Sequence, residues 1–186
     1  MAEAVRDLAD HLNALLARSV TRTRLVAFAA ETGASRRPSR LYLTFRQGGN
    51  PTAARLQTHF GPMGLFLGQE CSSIVAEDGT HRLQVIRYAY QLTGQDLDRA
   101  LLRWEYVRDP NDRDARWCRH HLQGPVPLRF GDGGEVLLND LHLPTGWVRL
   151  EEVLRFCIVD LGVRPLSPRW HEALVESVGL YPVPDL

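Results

Sequence analysis

Arg103, Glu105, Arg119 and His121 are the residues whose types and spacing suit acid–base work on a phosphate. Side chains alternate along an extended strand, so Arg103 and Glu105 share one face while Trp104 and Tyr106 share the other. By the same alternation Arg119 and His121 part from Cys118 and His120. If the two strands are neighbours, one face gathers an imidazole base, a carboxylate to orient it and two guanidinium forks for phosphate oxygens. His142, in Leu141-His142-Leu143-Pro144, is the candidate second acid. This set suits metal-independent cleavage of RNA: His121 takes the 2′-hydroxyl proton, His142 protonates the leaving oxygen, and arginine stabilises the charge on phosphorus.

Each of these residues also has a plainer reading. Arg103 and Glu105 can be an ordinary strand-surface ion pair worth about 0–1 kcal/mol, and a histidine among apolar residues is more often a hydrogen-bonded structural group than a catalyst. Trp104, Tyr106 and Trp117 are candidate stacking platforms for nucleobases, although aromatic residues beside strands are more often core. Cys118, His120 and His142 can be drawn as three zinc ligands, but a fourth is lacking; no metal ion and no cofactor is expected. The chain has no G-x-S-x-G, Walker A, H-E-x-x-H or dinucleotide-binding glycine motif. Asp109, Asp112 and Asp114 read as a solvated turn.

The elements that must hold these residues are legible from hydrophobic periodicity. Val5, Leu8, Leu12, Leu15 and Leu16 give residues 4–19 the stripe of an amphipathic helix. Residues 24–30 and 41–46 read as strands. Residues 47–68, with five glycines and two prolines, read as an irregular loop with a short strand near 54–60. Strands follow at 71–76 and 82–92 around an Asp78-Gly79 turn, with Leu83, Val85, Arg87 and Ala89 on one face. Further strands are expected at 100–108 and 115–123. A helix at 150–161 presents Leu150, Val153, Leu154, Cys157 and Leu161, and Ser167-Pro168 starts a last helix reaching Val178. Strands bracketed by helices without βαβ alternation predict an α+β fold. The expectation is an antiparallel sheet of about five to seven strands on an N-terminal helix and two C-terminal helices.

Composition narrows the class of function. The 186 residues suit one domain, and 22 basic residues balance 22 acidic ones, so nucleic acid would be gripped by a local patch rather than by global charge. All the basic residues are arginine, which removes lysine Schiff-base and P-loop lysine chemistry. Three widely spaced cysteines argue against a disulfide framework. No apolar run approaches a membrane span and the first residues lack a secretory core, so a cytoplasmic protein without membrane partners is expected.

From about Leu83 to Val163 the chain resembles the TumE-like toxin family of bacterial toxin–antitoxin systems. The likeness is carried by Arg103-Trp104-Glu105-Tyr106, the histidine-containing Arg119-His120-His121, and the helix near residues 150–161. It departs in a longer N-terminal part and in the insertion from Leu141 to Gly146. The resemblance implies a toxin of a toxin–antitoxin or defence module, acting on RNA and neutralised by a cognate antitoxin. The alternative from the same residues is a non-catalytic binding or adaptor module. It would recognise a protein or nucleotide through the Arg/His patch, with its apolar helices forming a homo-oligomer interface.

Overall fold

The computed structural model describes residues 2–29, 40–75, 79, 81–95, 99–109, 119–131 and 133–178. In chain order the elements are α1 (Ala2–Ser19), β1 (Leu25–Ala29), β2 (Leu41–Gln47), β3 (Asn50–Pro51), β4 (Ala54–Thr58), β5 (Gly61–Val75), β6 (His81–Thr93), β7 (Ala100–Val107), β8 (His120–Gln123), β9 (Pro127–Arg129), β10 (Glu135–Leu137), α2 (Leu138–Leu141), β11 (Leu143–Pro144), α3 (Leu150–Val159) and α4 (Trp170–Val178). The main sheet runs β1-β2-β5-β6-β7-β8-β11, with β3 on β2 and β4 on β5, and every described pairing is antiparallel. A separate β9–β10 hairpin closes through Gly133, at φ +84°, where a left-handed backbone is needed. The fold is α+β, an N-terminal helix and two C-terminal helices packed on one face of a large antiparallel sheet.

Alternation sorts the two faces. Leu43, Leu65, Leu67, Cys71, Tyr88, Tyr90 and Tyr106 turn inward and join the apolar stripes of α1 and α3 in one hydrophobic cluster. Leu16, Leu154 and Cys157 have no exposed surface, and burying a leucine contributes about 1.5–3 kcal/mol. Burial pushes the thiols of Cys71 and Cys157 up to about 12, so both behave as apolar core atoms. Asn13, a polar residue of α1, is buried. Its amide donates to Leu25 O at 3.1 Å and accepts from Leu25 N–H at 2.7 Å, tying the helix to the start of β1.

Two sequence expectations are corrected. Residues 61–68 are the first half of the 15-residue β5, not loop; Gly61, at φ +101°, makes the turn out of β4, and the later glycines sit within the ladder. The face assigned to Leu83, Val85, Arg87 and Ala89 is broken. An irregularity between Glu70 and Cys71 pairs Arg87 with Glu70 but Val85 with Cys71. Leu83 and Val85 therefore pack on the core while Arg87 and Ala89 stay on the open face. The expected strand at 115–123 is described only from His120, and residues 110–118, with Trp117 and Cys118, lie outside the described residues.

Just past α3 the chain makes a close approach at a left-handed glycine. Gly162 has φ +71°, and a Cβ there would stand 1.9 Å from the His59 ring, whose own backbone N–H donates to Leu161 O at 2.8 Å. Gly162→Ala is expected to cost about 2 kcal/mol, read as a lower urea midpoint with an unchanged slope. A wild-type midpoint would show that His59 yields freely.

Candidate active site on the open face of the sheet

Antiparallel register brings the sequence candidates together. Glu105 lies directly opposite His121, and Arg103 opposite Gln123. Directly opposed residues share a face, so the Arg103–Glu105 and His121 sides of β7 and β8 meet on the face away from the helices. Glu105 is the hub. One of its oxygens, Oε2, stands 3.3 Å from His121 Nε2 and 3.2 Å from Arg103 Nε; the other, Oε1, stands 3.9 Å from Arg87 Nη2. The Arg103 Nε contact lacks hydrogen-bond alignment and is Coulombic, while the same guanidinium donates through Nη2 to Gln123 Oε1. Two guanidiniums, those of Arg103 and Arg87, thus face the Glu105 carboxylate, and Arg87 also lies directly opposite Glu70, which is paired with Arg40 at 2.6 Å.

His142 is delivered by a different device. β11 pairs with β8 through Leu143 opposite Leu122 and Pro144 opposite His121. The residue before it, His142, adopts φ 46°, an uncommon conformation for a side chain of this size. This places the His142 ring centre 5.2 Å from that of His121, with 57° between the planes. His121 is 1% exposed, whereas His142 is half-buried. The pair holds an inner imidazole fixed by a carboxylate and an outer one nearer solvent, an arrangement that can move two protons at neighbouring atoms.

The remaining sequence candidates separate from this cluster. Arg119 stands exposed just before β8, its carbonyl accepting from Val107 N–H at 3.1 Å; Arg87, rather than Arg119, is the second arginine paired with Glu105. Tyr106 is corrected as a base platform: it is 2% exposed, stacked on His120 with ring centres 4.5 Å apart, and has no free face to offer. Trp104 also turns to the helix side, meeting Phe156 of α3 edge-on at 5.8 Å. Nor are His120 and His142, two of the three residues drawn as zinc ligands, brought together. His120 packs among Tyr88, Tyr106 and Trp147 in the core, while His142 sits by His121 on the other side of β8. Among the described residues no group of three His, Cys, Asp or Glu side chains could hold a metal ion.

Sequence reasoning missed Arg87 and Gln123; alternation along β6 grouped Arg87 with the core-packing Leu83 and Val85, and only the irregularity in the β5–β6 ladder frees it for the open face. Elsewhere, His11 Nε2 lies 2.8 Å from Ser177 Oγ, which in turn donates to Glu151.

Two histidines make folding sensitive to acid. Burial holds the His120 pKa below its usual value, helped by the charges of Arg119 and His121; burial also lowers that of His11, against an opposing pull from Glu151. A lowered folded pKa means that the unfolded chain binds protons more readily, so stability is full above the unfolded value near 6.5 and declines as pH falls through it. His120 Nε2 is buried without a hydrogen-bond partner, so His120→Phe is expected to keep the fold at pH 7.5 and to lessen the fall in thermal midpoint between pH 7 and 5. An unchanged fall would place the acid sensitivity elsewhere.

The chain matches no protein-family model, and no curated protein or solved structure matches it.

Proposed function

We propose that the chain is the toxin component of a bacterial toxin–antitoxin or defence module and acts on RNA as an endoribonuclease. The observation that supports this reading most is the convergence of His121, Glu105, Arg103 and His142 on the open face of the sheet. The 2′-hydroxyl attacks phosphorus and gives its proton to His121; the P–O5′ bond breaks and the 5′ oxygen takes a proton from His142. The products are a 2′,3′-cyclic phosphate and a 5′-hydroxyl. Glu105 orients His121 and stabilises its protonated form, and Arg103 and Arg87 counter the charge that builds on phosphorus. Arg119 attracts the backbone from the margin of the site. A cognate antitoxin would cover this face, and a second copy of the chain is a further candidate partner.

Substrate must reach His121 by way of β11, which must open to admit it and re-pair with β8 to bring His142 back beside His121. β11 is a two-residue strand at the sheet edge, with Leu143 and Pro144 exposed, and such segments open at low free-energy cost. The 1% exposure of His121 also favours a second reading, in which the same patch is a binding or adaptor surface and performs no chemistry. The two readings part on induction in a heterologous bacterium, with soluble expression checked and total RNA examined. Growth arrest with RNA fragmentation, abolished in Arg103→Ala/His121→Ala, is the result expected of the toxin. Soluble wild-type protein without arrest or fragmentation would favour the binding module.

A further inference from the structure

On the open face, the row of residues that contains Glu105 continues away from His121 as Ala89, Gly68 and Thr44, each directly opposite the next. These small side chains floor a concavity of about 270 Å³ between taller rows. Phe28 and Tyr42 stand on one side with ring centres 5.6 Å apart, and the Phe66 ring leans over the floor from the other. Phe66 lies so low over the floor that a Cβ on Gly68 would meet its ring at 3.2 Å. The rows flanking the floor are four residues apart along the strand, about 13 Å at 3.3 Å per residue. A volume just under the usual range for small-molecule pockets suits one flat ring system.

Glu70, paired with Arg40 at 2.6 Å, lines the wall directly opposite Arg87, and two further polar features give this slot a direction. Thr44 is 6% exposed, and its Oγ1 is buried without a hydrogen-bond partner, an arrangement rare enough to point to a missing partner. At the other end Arg87 belongs both to the wall of the slot and to the Glu105 cluster. Ala89 lies two strand spacings, about 10 Å, from His121, which is the reach of one nucleotide.

We propose that this slot is a nucleobase subsite, which holds the base of the nucleotide next to the cleaved phosphate and directs that phosphate past Arg87 to His121 and His142. This rests on the RNA-cleaving reading of the neighbouring cluster. Tyr42 and Phe66 supply stacking surface of the kind that single-stranded nucleic acid uses, Phe28 being already stacked on Tyr42 with the Arg46 guanidinium 4.4 Å from its ring centre, and the Thr44 hydroxyl supplies one hydrogen bond to a base edge.

The test is calorimetric titration of the full chain with the four ribonucleoside 3′-monophosphates, with ribose 5-phosphate and inorganic phosphate as references. At least one nucleotide is expected to bind about tenfold or more tightly than ribose 5-phosphate. Ala89→Leu, which fills the floor, should erase that margin and leave phosphate binding as in wild type; Thr44→Val, close in shape, should reduce it severalfold. Nucleotides that bind no better than ribose 5-phosphate, or a margin that survives Ala89→Leu, would overturn the subsite. RNA cleavage scored in parallel separates the two proposals. Cleavage without a base margin sinks the subsite alone, whereas a margin sensitive to Ala89→Leu in a chain that leaves RNA intact upholds the subsite and sinks the nuclease.

Discussion

His121→Ala is expected to lower the rate of RNA cleavage by about 100-fold or more, the range associated with losing a positioned general base. The effect should fall on turnover rather than on affinity, because Arg87 and Arg103 remain to attract the backbone. His142→Ala should produce a loss of the same order through the leaving oxygen. The double variant should be little worse than either single one, since residues that act as a unit are strongly non-additive. The rate of the His142 variant should be least impaired with a substrate whose leaving group needs no proton, such as a nitrophenyl phosphodiester of uridine, while His121→Ala remains slow on it. That contrast separates the base from the acid. Equal loss on both substrates would mean that the two rings share a structural task.

Glu105→Leu should be the most destabilising change at the patch. The Glu105 side chain is 12% exposed and faces Arg103 at 3.2 Å, Arg87 at 3.9 Å and the 1%-exposed His121 at 3.3 Å. Removing the carboxylate leaves a partly buried guanidinium uncompensated, which typically costs about 3 kcal/mol; for a chain of this size that lowers the melting midpoint by about 6–12 °C. Arg87, more than half exposed, contributes little to this sum. Arg103→Leu in the same chain should recover part of the loss by removing the stranded charge. Glu105→Gln keeps two contacts in neutral form and should cost much less stability, yet impair cleavage nearly as severely. A Glu105→Leu midpoint within a degree or two of wild type would show the cluster to be solvated and loosely held.

The candidate site was largely readable where one strand carried the information. Alternation alone put Arg103 with Glu105, and the polar loop between two apolar runs made β7 and β8 natural neighbours, so the Glu105–His121 meeting needed only the correct register. The stripe Leu150, Val153, Leu154, Cys157 gave α3 its buried face in the same way. What was not readable came from pairings distant in sequence or from very short elements. Arg87 joins the cluster because an irregularity in the β5–β6 ladder sets which side of β6 faces the core. His142 is carried by a two-residue strand that no periodicity can reveal. The glycines of residues 61–68 carry the composition of a loop, yet they serve a long strand in which a small residue lets the Phe66 ring lie down. Tyr106 was placed on the correct face, but sequence did not show that α3 and Trp147 would close it.

Purified chain incubated with an end-labelled single-stranded RNA, with the ends of the products identified, tests the central claim most directly. The account predicts fragments ending in a 2′,3′-cyclic phosphate with matching 5′-hydroxyl ends, formed by wild type and lost in His121→Ala and His142→Ala chains that melt as folded proteins. Intact RNA with folded wild-type protein, or cleavage that persists in both histidine variants, would contradict it.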